Sequence, residues 1–126
     1  MKTKLVNIYI FISALLLLLI GGFISISPTK YLLQFQEQLV SSVELLSELR
    51  GMGGMLVGFS TLAFVSLFAK ELKKTSLISL IIIFSSFSIF RVFGIIMDGL
   101  PNSSILIALS IEIIFTFLGI ISYKKQ

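Results

Sequence analysis

Runs of apolar residues separated by short charged clusters set the pattern of this chain. A membrane-crossing helix needs about 20 mostly apolar residues, so intervals without charge mark its candidates. Between Lys4 and Lys30 no charge occurs, and about 5–26 reads as a first span, closed by Ser27-Pro28. Between Arg50 and Lys70 lies a second, about 51–69. A third, about 75–97, contains only Arg91, and a fourth, about 103–123, only Glu112. The segment of about 30–50 differs: Leu32, Phe35, Leu39, Val43, Leu46 and Leu49 recur every three or four residues among Gln, Ser and Glu, the period of an amphipathic helix. The pattern predicts an all-α integral membrane four-helix bundle in up-and-down order, formed by residues 1–126 as one domain, with an amphipathic helical connector between the first two spans.

Composition agrees. Of 126 residues, 56% are apolar and 13% charged, and the mean hydropathy is +1.09, an apolar excess that a water-soluble globule of this size has no interior to hold. The absence of Cys and His removes thiol chemistry, disulfides, the commonest metal ligand and the commonest general base. No cofactor or metal site is expected, and Glu44 with Glu48 at i and i+4 reads as the wet face of a helix.

Basic residues set the orientation. Lys2, Lys4, Lys70, Lys73, Lys74, Lys124 and Lys125 fall on one side of a four-span chain, against Lys30 and Arg50 on the other. Both termini are therefore expected to be cytoplasmic, in the inner membrane of a bacterium, and the net charge of +4 is a topology signal with no nucleic-acid role. The first apolar run is too long for a cleaved signal peptide, and Ser25-Ile26-Ser27 is followed by Pro28, which disfavours cleavage.

Charges inside a span are costly and face a partner or a cavity. Arg91 lies seven residues before Asp98, hence about 10 Å below the end of its helix; Glu112 lies about 12 to 13 Å into the next one. Their matching depth predicts a buried ion pair. Small and polar stripes suggest which faces turn inward: Ser104, Ala108, Glu112, Thr116 and Gly119 on the fourth span; Ser88, Arg91, Gly94 and Asp98 on the third; Arg50, Gly54, Gly58 and Thr61 on the second. Asn7, Ala14 and Gly21 form a comparable stripe on the first. Gly54 and Gly58 have the small-xxx-small spacing that permits close helix approach. Glu48, Arg50, Arg91, Asp98 and Glu112 are the candidate polar cluster, either a ligand pocket in the outer half of the bundle or a closed network that fixes helix register.

Glu48-Leu49-Arg50-Gly51-Met52-Gly53-Gly54 with Gly58, and Arg91 with Asp98-Gly99-Leu100-Pro101 and Glu112, resemble the small bacterial four-span membrane family known as domain of unknown function forty-three forty-five. The resemblance runs from about residue 48 to 119. It implies a four-span fold and a shared role at Arg50, Gly53, Gly54, Arg91, Asp98, Gly99 and Glu112, and it adds no substrate. Gly53, Gly54, Gly58, Gly94 and Gly99 are the glycines expected to serve helix packing.

Three functions fit these residues. The first is a binding or accessory protein for a membrane lipid, a small amphiphile or a partner membrane protein, with a homo-oligomer open. The second is a small-solute or proton-coupled transporter using Glu112; the one-sided basic bias and an arginine at that depth, which would pair with the acid, speak against it. The third, a membrane enzyme, lacks a nucleophile motif and a base at recognisable spacing.

Overall fold

The computed structural model describes residues 2–35 and 42–126. Among these the chain is helical: α1 (Lys2–Ile26), α2 (Pro28–Leu33), α3 (Val43–Ser66), a 3-10 turn (Lys70–Leu72), α4 (Lys73–Asp98) and α5 (Ser103–Lys124). The helices α1, α3, α4 and α5 are long and apolar enough to cross a membrane. Two antiparallel hairpins, α1 with α3 and α4 with α5, supply most of the packing. Side by side they give the order α1, α3, α4, α5 around the bundle, with α1 also touching α4. Both chain termini and the α3–α4 turn lie at one end, and α2 and the α4–α5 connection lie at the other.

Local chemistry sets the helix boundaries. Pro28 has no N–H to continue α1 and takes the first position of α2. Ser42 caps α3, its Oγ accepting from the Leu45 N–H at 3.1 Å, and Asn102 caps α5 by accepting from the Ile105 N–H at 3.2 Å. α4 stops at Gly99, whose φ of 99° is a conformation that L side chains rarely adopt.

The second spanning helix differs from its expected bounds of 51–69. It begins at Val43 and ends at Ser66, so the last third of the expected connector belongs to it. The helix runs through Arg50, which is exposed and donates from Nη1 to carbonyls at the end of α1. Residues 30–33 belong to α2, and the middle of the expected amphipathic connector, residues 36–41, lies outside the described residues.

Ile10, Ala14, Leu17, Leu56, Ala63, Leu77, Leu80 and Phe84 form a core along the bundle axis. Large side chains such as Leu19, Phe68, Phe90, Ile96 and Phe117 are exposed outside it, as expected of a surface that meets lipid. Serines interrupt the core, and two of them turn their hydroxyls onto backbone carbonyls: Ser60 Oγ donates to Ala14 O at 2.7 Å, and Ser66 Oγ to Ala63 O at 2.7 Å.

The closest helix approach lies at Gly21 and Gly53. A Cβ on Gly53 would sit 2.5 Å from Gly21 O, and one on Gly21 would sit 2.7 Å from Gly53 O. The expected stripe on α3 is thus displaced by one position. Gly53, Leu56, Ser60 and Ala63 face the core, while Gly54, Gly58 and Thr61 are exposed. No described atom lies within 4 Å of a Cβ built on Gly58 or Gly94, and the first neighbour of one on Gly54 is 3.9 Å away. Among the described residues, Gly54, Gly58 and Gly94 therefore make no close helix contact, and Gly99 serves the turn after α4. The difference lies at Arg50, which heads the expected stripe but turns its side chain along the end of α1. On α5, Gly119 fits under Tyr9, with the hydroxyl 2.6 Å from where a Cβ would be.

Candidate functional site

The hairpins are joined firmly at the end that carries the termini. There Tyr9 on α1 donates its hydroxyl to Phe115 O on α5 at 2.8 Å, and Phe115 packs on Phe84 of α4 with ring centroids 5.2 Å apart. Toward the other end a cavity of about 370 Å³ separates the helices. Leu16, Leu17, Ile20, Phe23 and Ile24 of α1 form one wall, Leu56 of α3 and Phe84 and Phe87 of α4 the back, and Ser104, Ala108, Ile111 and Glu112 of α5 the other wall. Among the described residues the exposed lining side chains are Ile20 and Phe23 of α1, Gln34 after α2, and Ser104 and Ile107 of α5, so the cavity is open sideways between α1 and α5 and also beside Gln34.

The chain after α1 roofs this space. Tyr31, Gln34 and Phe35 line it, and Tyr31 packs edge-to-face on Phe23 at 6.2 Å and on Phe35 at 5.1 Å. T-shaped aromatic contacts of this kind hold a short helix in place where few backbone bonds do.

Arg91 and Glu112 meet on the cavity wall. Arg91 Nε donates to Glu112 Oε1 at 2.6 Å and Nη2 donates to Oε2 at 3.2 Å, a side-on bidentate arrangement across α4 and α5. The side chains are 24% and 12% exposed. Phe87, one turn before Arg91, stacks against the guanidinium at 5.4 Å and screens its other side. Thr116 donates to Glu112 O at 2.7 Å, so its hydroxyl is satisfied within its own helix.

The other three members of the expected cluster lie elsewhere. Arg50 Nη1 donates to Ser25 O at 2.7 Å and to Ile26 O at 3.3 Å, capping the carbonyl end of α1, and Ser25 Oγ donates back to Arg50 O at 2.9 Å. Arg50 thus clasps α1 to α3. Glu48 and Asp98 are exposed, and neither lines the cavity. Among the described residues the ion pair is confined to Arg91 and Glu112, and no group of three or more acidic side chains could hold a metal ion.

Phe35 belongs to the amphipathic period expected of residues 30–50 and Gln34 to its polar remainder, while Tyr31 stands outside that pattern. The aromatic spacing of Phe23, Tyr31 and Phe35 after a proline break was the available signal.

No curated protein and no solved structure matches the chain significantly. A family model does, over residues 5–123, nearly the whole chain: it belongs to the family described as Domain of unknown function (DUF4345).

Proposed function

We propose that this protein binds a small membrane amphiphile in the cavity between α1 and α5, with the Arg91–Glu112 pair addressing the polar end of the ligand. One observation carries the reading: the part-buried Arg91–Glu112 ion pair lies on the wall of an apolar cavity open between α1 and α5 rather than in a closed core. Its volume of about 370 Å³ suits one polar head and part of one chain, at the small end of ligand pockets. A lateral mouth lets an amphiphile enter from the membrane with its tail still in lipid. The bidentate contact with Arg91 speaks against Glu112 as a proton carrier, because the carboxylate already has both oxygens engaged.

The orientation belongs to the same proposal. The basic residues that cluster at the end bearing the termini support an orientation with that end in the cytoplasm and the cavity in the outer half of a bacterial inner membrane. Photolabelling tests the binding reading. A diazirine-bearing acyl probe in membranes is expected to label the cavity walls, and Ala108→Phe, which fills the space, is expected to abolish that labelling. Labelling spread evenly over the lipid-facing surface, unchanged by Ala108→Phe, contradicts it.

A further inference from the structure

The cavity wall carries one cation and one anion, and they neutralise each other. Among the described residues, Arg91 and Glu112 are the charged ones that line it, and Tyr31, Gln34 and Ser104 supply the remaining polar side chains. The other arginine is held away from the cavity by Ser25 O and Ile26 O. A guanidinium has five N–H donors, and Glu112 takes two of Arg91's. Three remain, with no acceptor among the described residues.

This balance discriminates between ligands. An anionic head brought against a neutral pair would leave a net negative charge in an apolar site with no cation to offset its lost hydration. A carbonyl or hydroxyl head makes no such demand. It accepts from the spare N–H groups of Arg91 and finds further donors and acceptors in the Tyr31 hydroxyl, the Gln34 amide and the Ser104 hydroxyl. Apolar and aromatic side chains around these groups take the first part of a chain.

We infer that the cavity selects an uncharged single-chain amphiphile with an ester or hydroxyl head, and discriminates against phosphorylated and carboxylated relatives, because Glu112 cancels the charge of Arg91. The inference rests on the binding role proposed above and names the ligand class for the same site.

A matched pair of probes tests it. A monoacylglycerol and the same molecule bearing a 3-phosphate are titrated against the purified protein in zwitterionic lipid nanodiscs, by displacement of the photoactivatable probe, with Ala108→Phe as the control for the site. The monoacylglycerol is expected to bind roughly tenfold more tightly or better, a difference of about 1.4 kcal/mol. Glu112→Gln keeps the shape and an acceptor for Arg91 but removes the negative charge, and is expected to reverse the order in favour of the phosphate. Equal or tighter binding of the phosphate by the unmodified protein overturns the inference while leaving the cavity a binding site. No binding of either probe that is sensitive to Ala108→Phe overturns the binding role itself. Should Glu112→Gln fail to fold, the comparison on the unmodified protein decides alone.

Discussion

The crossing of α1 and α3 makes a sharp prediction about single methyl groups. Gly53→Ala places a Cβ 2.5 Å from Gly21 O, against an ordinary contact of 3.4 Å, a shortfall of 3.4 − 2.5 = 0.9 Å. The opposing atom is backbone, so no side chain can rotate out of the way and the helices themselves must part. Parting by that amount stretches the Arg50–Ser25 hydrogen bond from 2.7 Å and the Ser25–Arg50 bond from 2.9 Å beyond useful range. Overpacking of this kind costs roughly 1 to 3 kcal/mol, and each of the two hydrogen bonds adds about 0.5 to 1.5 kcal/mol, so a loss of ~2–6 kcal/mol is expected. Gly58→Ala, in open space five residues away, adds helix propensity of about 0.5 to 1 kcal/mol and is expected to be neutral or slightly stabilising. Far-UV circular dichroism during titration of mixed micelles with a denaturing detergent measures both, since the chain has no Trp to report by fluorescence. Equal stabilities for Gly53→Ala and Gly58→Ala would refute the crossing point and restore the Gly54–Gly58 face as the packing surface.

Three further outcomes follow from the same contacts. Arg91→Glu puts two like charges on the cavity wall and is expected to destabilise the protein by about 3 to 5 kcal/mol, with partial recovery when Glu112→Arg is added, read in the same unfolding titration; no recovery would mean that the two side chains do not act as a pair. Arg50→Gln removes the charged clasp on Ser25 O and Ile26 O and is expected to cost about 1.5 to 3 kcal/mol without changing probe labelling of the cavity, because Arg50 does not line it. Tyr9→Phe loses the hydrogen bond to Phe115 O that ties α1 to α5 and is expected to cost about 1 kcal/mol, with a loss above that assigning Tyr9 a further partner.

Much of this architecture was legible in the chain because lipid imposes a simple rule. Charges are costly in a span unless they are paired, and the helices at Lys2–Ile26, Lys73–Asp98 and Ser103–Lys124 cover the apolar runs of 5–26, 75–97 and 103–123. At α3 the helix itself continues through Arg50, whose Nη1 donates to carbonyl oxygens at the end of α1. Depth counting along α4 and α5 put Arg91 opposite Glu112 because a 1.5 Å rise per residue leaves little freedom between two helices joined by a four-residue connection.

Face and rotation were harder. A helix turned by one residue exchanges Gly54 for Gly53 at the interface, and a stripe anchored on a single arginine carries an error of that size. Ser104, Ala108 and Glu112 do line the cavity, because three consecutive small or polar positions on α5 constrain the rotation better than one charge does. The site's roof was legible in part, as the start of an amphipathic segment, but not in its packing. Tyr31 and Gln34 owe their place to the Pro28 break and to aromatic contacts with Phe23 and Phe35, neither of which shows as periodicity.

The central claim is that the cavity beside Arg91 and Glu112 holds an amphiphile. An experimental structure of the protein in lipid, at a resolution that shows side chains, tests it most directly. The account predicts continuous density for an elongated molecule entering between Ile20 and Ile107, with its polar end within hydrogen-bond distance of Arg91. A dry core, with α1 and α5 closed against each other over an Arg91–Glu112 pair that touches nothing else, would contradict it.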